Sequence, residues 1–168
     1  MTSQKKVGGP GSPAHIEYKG TNFLIINQPS AANMSIFIDE LRRYNSRIVV
    51  RCCDPTYSTD QLASEGIIVV DLPFDDGGTP NDEIVTQWLE LIANTFEASN
   101  KECIAVHCVA GLGRAPVLVA IALMENGMKY HEAVEFIRQR RRGAINAKQL
   151  SFLEKYKPSK KHRRCRVQ

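Results

Sequence analysis

His107-Cys108-Val109-Ala110-Gly111-Leu112-Gly113-Arg114-Ala115-Pro116 decides the fold of this chain. Ahead of it runs Cys103-Ile104-Ala105-Val106, short, apolar and partly β-branched, which predicts a buried strand. Behind it, Val117 to Met124 is an apolar run of helical character. A loop of this kind curls its backbone N–H groups inward, and the following helix adds its positive N-terminal end. Together they make an anion cradle sized for a phosphate. Gly111 and Gly113 allow unusual backbone angles in the loop. Pro116 suits the first helical turn, where its missing N–H is not needed.

Cys108 stands at the base of that cradle, where the helix end and Arg114 favour thiolate over thiol. A thiolate can attack phosphorus and form a phosphocysteine. The Arg114 guanidinium is a planar fork that fits two phosphate oxygens at once. Val109, Ala110, Gly111, Leu112 and Gly113 complete the substrate-binding loop through their backbone. No metal or other cofactor is expected, because loop amides and guanidinium carry the charge stabilisation. A bare Cys-x5-Arg occurs by chance, but His-Cys-x-Ala-Gly-x-Gly-Arg between a strand and a helix is a specific signature of cysteine-dependent phosphatases. The full run HCVAGLGRAPVLVA resembles the phosphatases of regenerating liver, small prenylated enzymes of dual-specificity type. The resemblance extends from about Ile16 to Tyr156 and to the C-terminal residues.

A chain of 168 residues fits one domain with a core that needs no staples. No apolar run is long enough to span a bilayer. Residues 1–14 lack the apolar stretch of a signal peptide and read as a flexible lead. Five cysteines, odd in number and without metal-ligand spacing, fit a reducing compartment. The net charge of +4 is unevenly spread: residues 155–168 hold seven basic groups and no acidic one, which leaves −3 on residues 1–154. A mildly acidic globule argues against nucleic acid as a partner and assigns the basic character to the tail, residues 158–168.

Along the chain, Ile16-Glu17-Tyr18 and Phe23 to Ile26 flank Lys19-Gly20-Thr21-Asn22 and predict a hairpin. Asn33 to Tyr44 predicts a helix, Arg47 to Arg51 and Ile67 to Val70 predict strands, and Asn81 to Ser99 predicts a long amphipathic helix with Trp88 in the core. Gly127 ends the helix after the phosphate loop. Glu132 to Arg142 predicts another helix, with Val134, Ile137 and Arg141 in phase, and Asn146 to Tyr156 a last one. The run Arg138-Gln139-Arg140-Arg141-Arg142 reads as a solvated helix end, with a basic rim for phosphorylated or membrane ligands as the alternative. Alternating helices and apolar strands predict a single α/β domain over residues 15–157, with a mainly parallel central sheet flanked by helices. Such sheets bind ligands at the carboxyl ends of their strands. Cys53, Asp75, Asp76 and Cys108 all follow predicted strands and should meet at one edge.

Departure of an alkoxide or phenoxide needs a proton from a positioned acid. The Gly- and Pro-bearing loop Asp71-Leu72-Pro73-Phe74-Asp75-Asp76-Gly77-Gly78 offers two carboxyls for it. In the resembled family a Trp-Pro-Phe-Asp-Asp-Gly loop supplies the acid from its second Asp, which implies Asp76, with Asp75 the alternative. This chain departs with Leu72 where the family has Trp. The resemblance further implies that Cys53 pairs reversibly with Cys108 in a disulfide that protects an oxidised nucleophile. Adjacent Cys52 is the competing thiol, and strand alternation lets only one of the two face Cys108. Cys165-Arg166-Val167-Gln168 fits a C-terminal prenylation box, with Arg166 in a slot that is usually aliphatic. Lipid on Cys165 and the basic tail together would hold the protein on an anionic membrane surface, at the cytoplasmic face of the plasma membrane or endosomes.

The expected activity is hydrolysis of phosphomonoesters on phosphoproteins, phosphotyrosine foremost, through phosphocysteine. Most chains with Cys-x5-Arg carry Ser or Thr next, whose hydroxyl helps discharge the intermediate; Ala115 stands there in this chain and in the resembled family, so turnover is expected to be slow. The resemblance therefore also implies a second role, as a binding module that regulates cyclin-M type magnesium transporters by occupancy of the active site, and a trimeric homo-oligomer. Phosphoinositide hydrolysis is the third reading. Against it stand Val109 and Leu112, where lysines would hold extra phosphates.

Overall fold

The computed structural model describes residues 12–99 and 101–159. The basic tail from residue 160, Cys165, and most of the N-terminal lead lie outside these residues. The strands are β1 (Ala14–Tyr18), β2 (Thr21–Ile25), β3 (Ser46–Arg51), β4 (Ile68–Asp71) and β5 (Cys103–His107). The helices are α1 (Met34–Arg43), α2 (Asp60–Ser64), α3 (Asp82–Ala98), α4 (Arg114–Glu125), α5 (Tyr130–Arg140) and α6 (Ala147–Lys155).

The sheet order is β1-β2-β5-β3-β4. Only the β1–β2 hairpin is antiparallel; β2–β5, β5–β3 and β3–β4 are parallel. The hairpin turn is tighter than the sequence reading, with Lys19 and Gly20 at its tip in positive φ (43° and 77°). Two consecutive positive φ values match the right-handed twist of the strands they join.

Side chains alternate across each strand, and both faces are apolar, as a sheet covered on both sides requires. Phe23, Ile25, Val50, Ile104 and Val106 face the larger cluster with Trp88, Ala115 and Val117 to Met124 of α4, Ala133, Ile137 and Leu153. Leu24, Val49, Cys103 and Ala105 face the smaller one with Phe37, Ile38, Leu41 and Leu62. Thus α1 and α2 cover one face, and α3 to α6 the other. Helix α4 is buried along its full length, which explains why its sequence is apolar all round rather than striped. Trp88 is fully buried, and its indole N–H donates to the Leu118 carbonyl at 2.7 Å. Loss of such a side chain costs about 3–5 kcal/mol.

At the end of α4, Gly127 takes φ 102°, and the Met128 and Gly127 N–H groups bond back to Leu123 and Met124. The charge run reads differently in three dimensions. Helix α5 stops at Arg140, and Arg141 leaves it with φ −137° and ψ 89°. Arg141 is buried, which corrects the reading of this whole run as a solvated end. Neighbouring Arg138 also turns inward, donating to the Ala144 and Ile145 carbonyls.

Candidate active site

Strands β3, β4 and β5 run parallel and end side by side, so their C-terminal loops share one edge. Cys108 follows β5, Cys52 and Cys53 follow β3, and the Asp75–Asp76 turn follows β4. The phosphate loop spans Cys108 to Gly113, and Arg114 opens α4.

Every carbonyl of this loop is held from behind. The Cys108 carbonyl accepts from His107 Nδ1 at 3.0 Å, and that of Val109 from the Gln28 N–H at 3.4 Å. Arg141 donates to the Ala110 carbonyl from Nη2 (2.8 Å) and to the Gly111 carbonyl from Nε (3.3 Å). The Ile145 N–H takes the Leu112 carbonyl (2.7 Å), and the Val117 N–H that of Gly113 (3.1 Å). In a trans peptide the C=O and the next N–H point opposite ways, and no cis bond occurs among the described residues. Six carbonyls drawn outward therefore turn the N–H groups of residues 109–114 toward the other side, which is the geometry of an anion nest.

The two glycines serve different ends. Gly111 takes φ +66°, and a Cβ on it would also lie 2.6 Å from Arg141 Nη2. Gly113 has a negative φ of −127°; there the demand is space, since a Cβ would stand 3.2 Å from Gln149 Nε2. Arg114 is buried, donates Nη1 to the Phe74 carbonyl at 3.2 Å, and has Nε without a partner. A buried, unpartnered guanidinium N–H beside a nest of amides is the donor set that a phosphoryl group completes. Cys108 is buried at the bottom, while Val109 and Leu112 are exposed on the loop, so its outer rim is apolar.

The acid loop crosses in front. Leu72, which replaces the aromatic of the resembled family, is fully buried in the larger core cluster. The Leu72 and Phe74 N–H groups bond to the Arg51 and Cys52 carbonyls (2.9 and 3.3 Å). A tight turn follows, closed by the Gly78 N–H on the Asp75 carbonyl at 2.8 Å, with Gly77 supplying the positive φ of 69°. Asp76 is exposed, and its Oδ1 stands 3.8 Å from Arg114 Nη2. Asp75 shows no such ion pair among the described residues.

Sequence reasoning missed three supports of the loop. Arg141 is the first: besides the two loop carbonyls, it donates to the Asn27 side-chain oxygen and to the Ser12 carbonyl. Burial lowers the pKa of its guanidinium, and the charge of Cys108 offsets part of this. His107 is the second. Its Nδ1 faces a carbonyl oxygen, which only accepts, so Nδ1 carries the proton. Nε2 then accepts from the Tyr57 hydroxyl at 2.6 Å. Burial pulls the His107 pKa down to about 4, and the ring stays neutral at neutral pH. The third is Arg51, paired with Asp71 through Nε and Nη2 (2.6 and 2.9 Å) and packed over the Tyr57 ring at 4.8 Å. This pair raises the Arg51 pKa and lowers that of Asp71.

Cys52 and Cys53 both lie past the end of β3, so strand alternation does not sort them. Cys52 sits fully buried in the core cluster that includes Cys108; burial first, then Cys108, drives its thiol pKa well up. Cys53 lies outside that cluster, with Sγ 3.5 Å from Gln28 Oε1 and 4.0 Å from His107 Nδ1. Burial raises its thiol pKa too, Arg114 opposes the rise, and Cys108 adds to it.

Residues 56–157 match the family model for the dual specificity phosphatase, catalytic domain. The PRL-1 phosphatase of Drosophila melanogaster is 56% identical over 147 residues, covering 88% of this chain and 84% of that protein. The protein tyrosine phosphatase type IVA 3 of Homo sapiens is 53% identical over 152 residues, 90% of this chain and 88% of that one. Among solved structures, a putative protein tyrosine phosphatase from Leishmania major superposes with a TM-score of 0.79 at 38% identity, over 86% of this chain and 98% of that one. With the Cys-x5-Arg loop, its amide nest and these relatives, the chain belongs to the PRL, or type IVA, family of cysteine-dependent protein tyrosine phosphatases.

Proposed function

We propose that this phosphatase acts through Cys108 as nucleophile, Arg114 and the amides of residues 109–114 as the phosphoryl site, and Asp76 as acid and then base. The Cys108 sulfur attacks phosphorus while the bond from phosphorus to the leaving oxygen breaks, and Asp76 gives that oxygen its proton. Water then attacks the phosphocysteine, Asp76 takes its proton, and phosphate departs with the thiolate restored. The observation that carries this reading is the loop with all six carbonyls bonded outward around a buried cysteine. Rapid quench with an aryl phosphate, followed by mass spectrometry, should find the phosphoryl group on the Cys108 peptide and none in Cys108→Ser. Full turnover by Cys108→Ser would overturn the assignment.

Phosphoproteins are the substrate class of the family. The apolar rim of Val109 and Leu112 favours a singly phosphorylated side chain, phosphotyrosine foremost, over a multiply charged inositol headgroup. Ala115, fully buried at the start of α4, offers no hydroxyl to discharge the intermediate and supports a second reading. In it, turnover is slow and the chain is a binding module that regulates a cyclin-M type magnesium transporter by occupancy of the active site. Prenylation of Cys165 with the basic tail would bring the enzyme to an anionic membrane; cell fractionation of Cys165→Ser tests this, and unchanged membrane recovery would refute it.

A further inference from the structure

The acid-bearing turn is fixed on its downstream side by two carboxamides from α6. Asn146 Nδ2 donates to the Gly77 carbonyl at 3.1 Å, and Gln149 Nε2 donates to the Gly78 carbonyl at 3.0 Å. The same two residues form the capping box of α6. The Gln149 N–H bonds to Asn146 Oδ1 (2.8 Å), and the Asn146 N–H bonds to Gln149 Oε1 (3.0 Å). A backbone N–H requires an oxygen opposite it, so this network fixes the orientation of both amides. Each residue uses its oxygen to start a helix and its NH2 to hold the turn one or two residues beyond Asp76. Gln149 is fully buried, and its Nε2 also borders Gly113 of the phosphate loop.

We infer that Asn146 and Gln149 are positioning residues for Asp76. They clamp the acid turn against the phosphate loop, so that the carboxyl meets the leaving-group oxygen. This rests on the reading of Asp76 as the acid. A helix needs only the oxygens of the cap; the two NH2 groups serve the turn.

Asn146→Asp and Gln149→Glu are nearly isosteric, keep the capping oxygens, and set an acceptor against each loop carbonyl. Added negative charge weakens anion binding for all substrates alike, so the readout is a ratio. We expect kcat/KM for a phosphate with a poor leaving group to fall roughly tenfold more than for an activated aryl phosphate. That loss is a part of the roughly 10²–10⁴-fold that acid help provides. Because kcat/KM reports the steps up to the first irreversible one, slow breakdown of phosphocysteine does not mask the effect. Asn146→Ser, which caps without adding charge, should shift the ratio in the same direction if either acidic variant folds poorly. In an Asp76→Ala background the selective loss should vanish. Equal losses on both substrates, or the same selective loss without Asp76, would overturn the clamp. An Asp76→Ala enzyme with no leaving-group dependence would instead overturn the acid itself.

Discussion

Arg141 and Gly111, thirty residues apart, are built against each other: Arg141 Nε donates to the Gly111 carbonyl at 3.3 Å, and any side chain on Gly111 would strike the same guanidinium. The phosphate loop is therefore shaped from outside as much as by its own sequence. Hydrogen bonds to a charged group are worth about 1.5–3 kcal/mol each, and Arg141 makes two to this loop alone. Arg141→Lys keeps the charge but cannot span those acceptors. It should raise KM for an aryl phosphate roughly tenfold and lower the melting midpoint by several degrees. Gly111→Ala, strained at positive φ and clashing with Arg141, should do the same. Unchanged KM in both variants would show that the loop holds its shape without the clamp.

The strand, loop and helix around Cys108 were legible because local sequence decides them. A short β-branched run, two glycines and a proline leave few alternatives. Trp88 as a core residue and the start of the last helix near Asn146 were legible for the same reason. Arg141 was not, because a basic run at a helix end usually faces water. A signal was present nonetheless: Arg141 falls in phase with buried Val134 and Ile137, where a charge needs buried partners. Tyr57 and Arg51 were hidden by distance, since their partners His107 and Asp71 lie 50 and 20 residues away. The short helix α2, with only Leu62 buried, is too brief to show a periodicity.

Ala115→Ser should speed the breakdown of phosphocysteine. The residue follows Arg114 at the N-terminus of α4 and belongs to the same core cluster as Cys108; a hydroxyl there is expected to donate to the departing thiolate. Single-turnover kinetics should show an unchanged first step and a faster second one. A faster first step with the second unaltered would contradict this.

His107 makes stability depend on pH. Its pKa of about 4 in the fold lies below the roughly 6.5 of an unfolded histidine. Between these values the unfolded chain binds a proton that the folded protein refuses, so stability rises with pH across the window. As pH falls through it, unfolding free energy should drop by about 1.4 kcal/mol per unit. The Arg51–Asp71 pair adds a second loss at lower pH: the Asp71 pKa is depressed by its partner, and that contribution fades only as Asp71 is protonated. Denaturant titrations from pH 7 to pH 4 measure the slope. His107→Asn should remove it between pH 6.5 and 4, and a slope that survives in that variant would assign the proton to another group.

Peroxide should join Cys53 to Cys108 rather than Cys52 to Cys108. Oxidation of the Cys108 thiolate gives a sulfenic acid, with peroxide reduced to water. A second thiol then attacks that sulfur, the S–S bond forms, and the hydroxyl leaves as water. Success depends on which neighbour can give up its proton. Complete burial drives the Cys52 thiol pKa well above its ordinary value, and its core position leaves it little room to swing. Cys53 sits by Gln28 and the His107 ring instead, and the Arg114 charge opposes the rise that burial causes. Non-reducing peptide mapping after mild peroxide should therefore recover a Cys53–Cys108 peptide, with activity restored by dithiol. Cys53→Ser should remove that peptide and pass Cys108 on to irreversible sulfinic acid. A Cys52–Cys108 peptide in the unsubstituted protein would show that a shared place in the core outweighs the ease of giving up the proton.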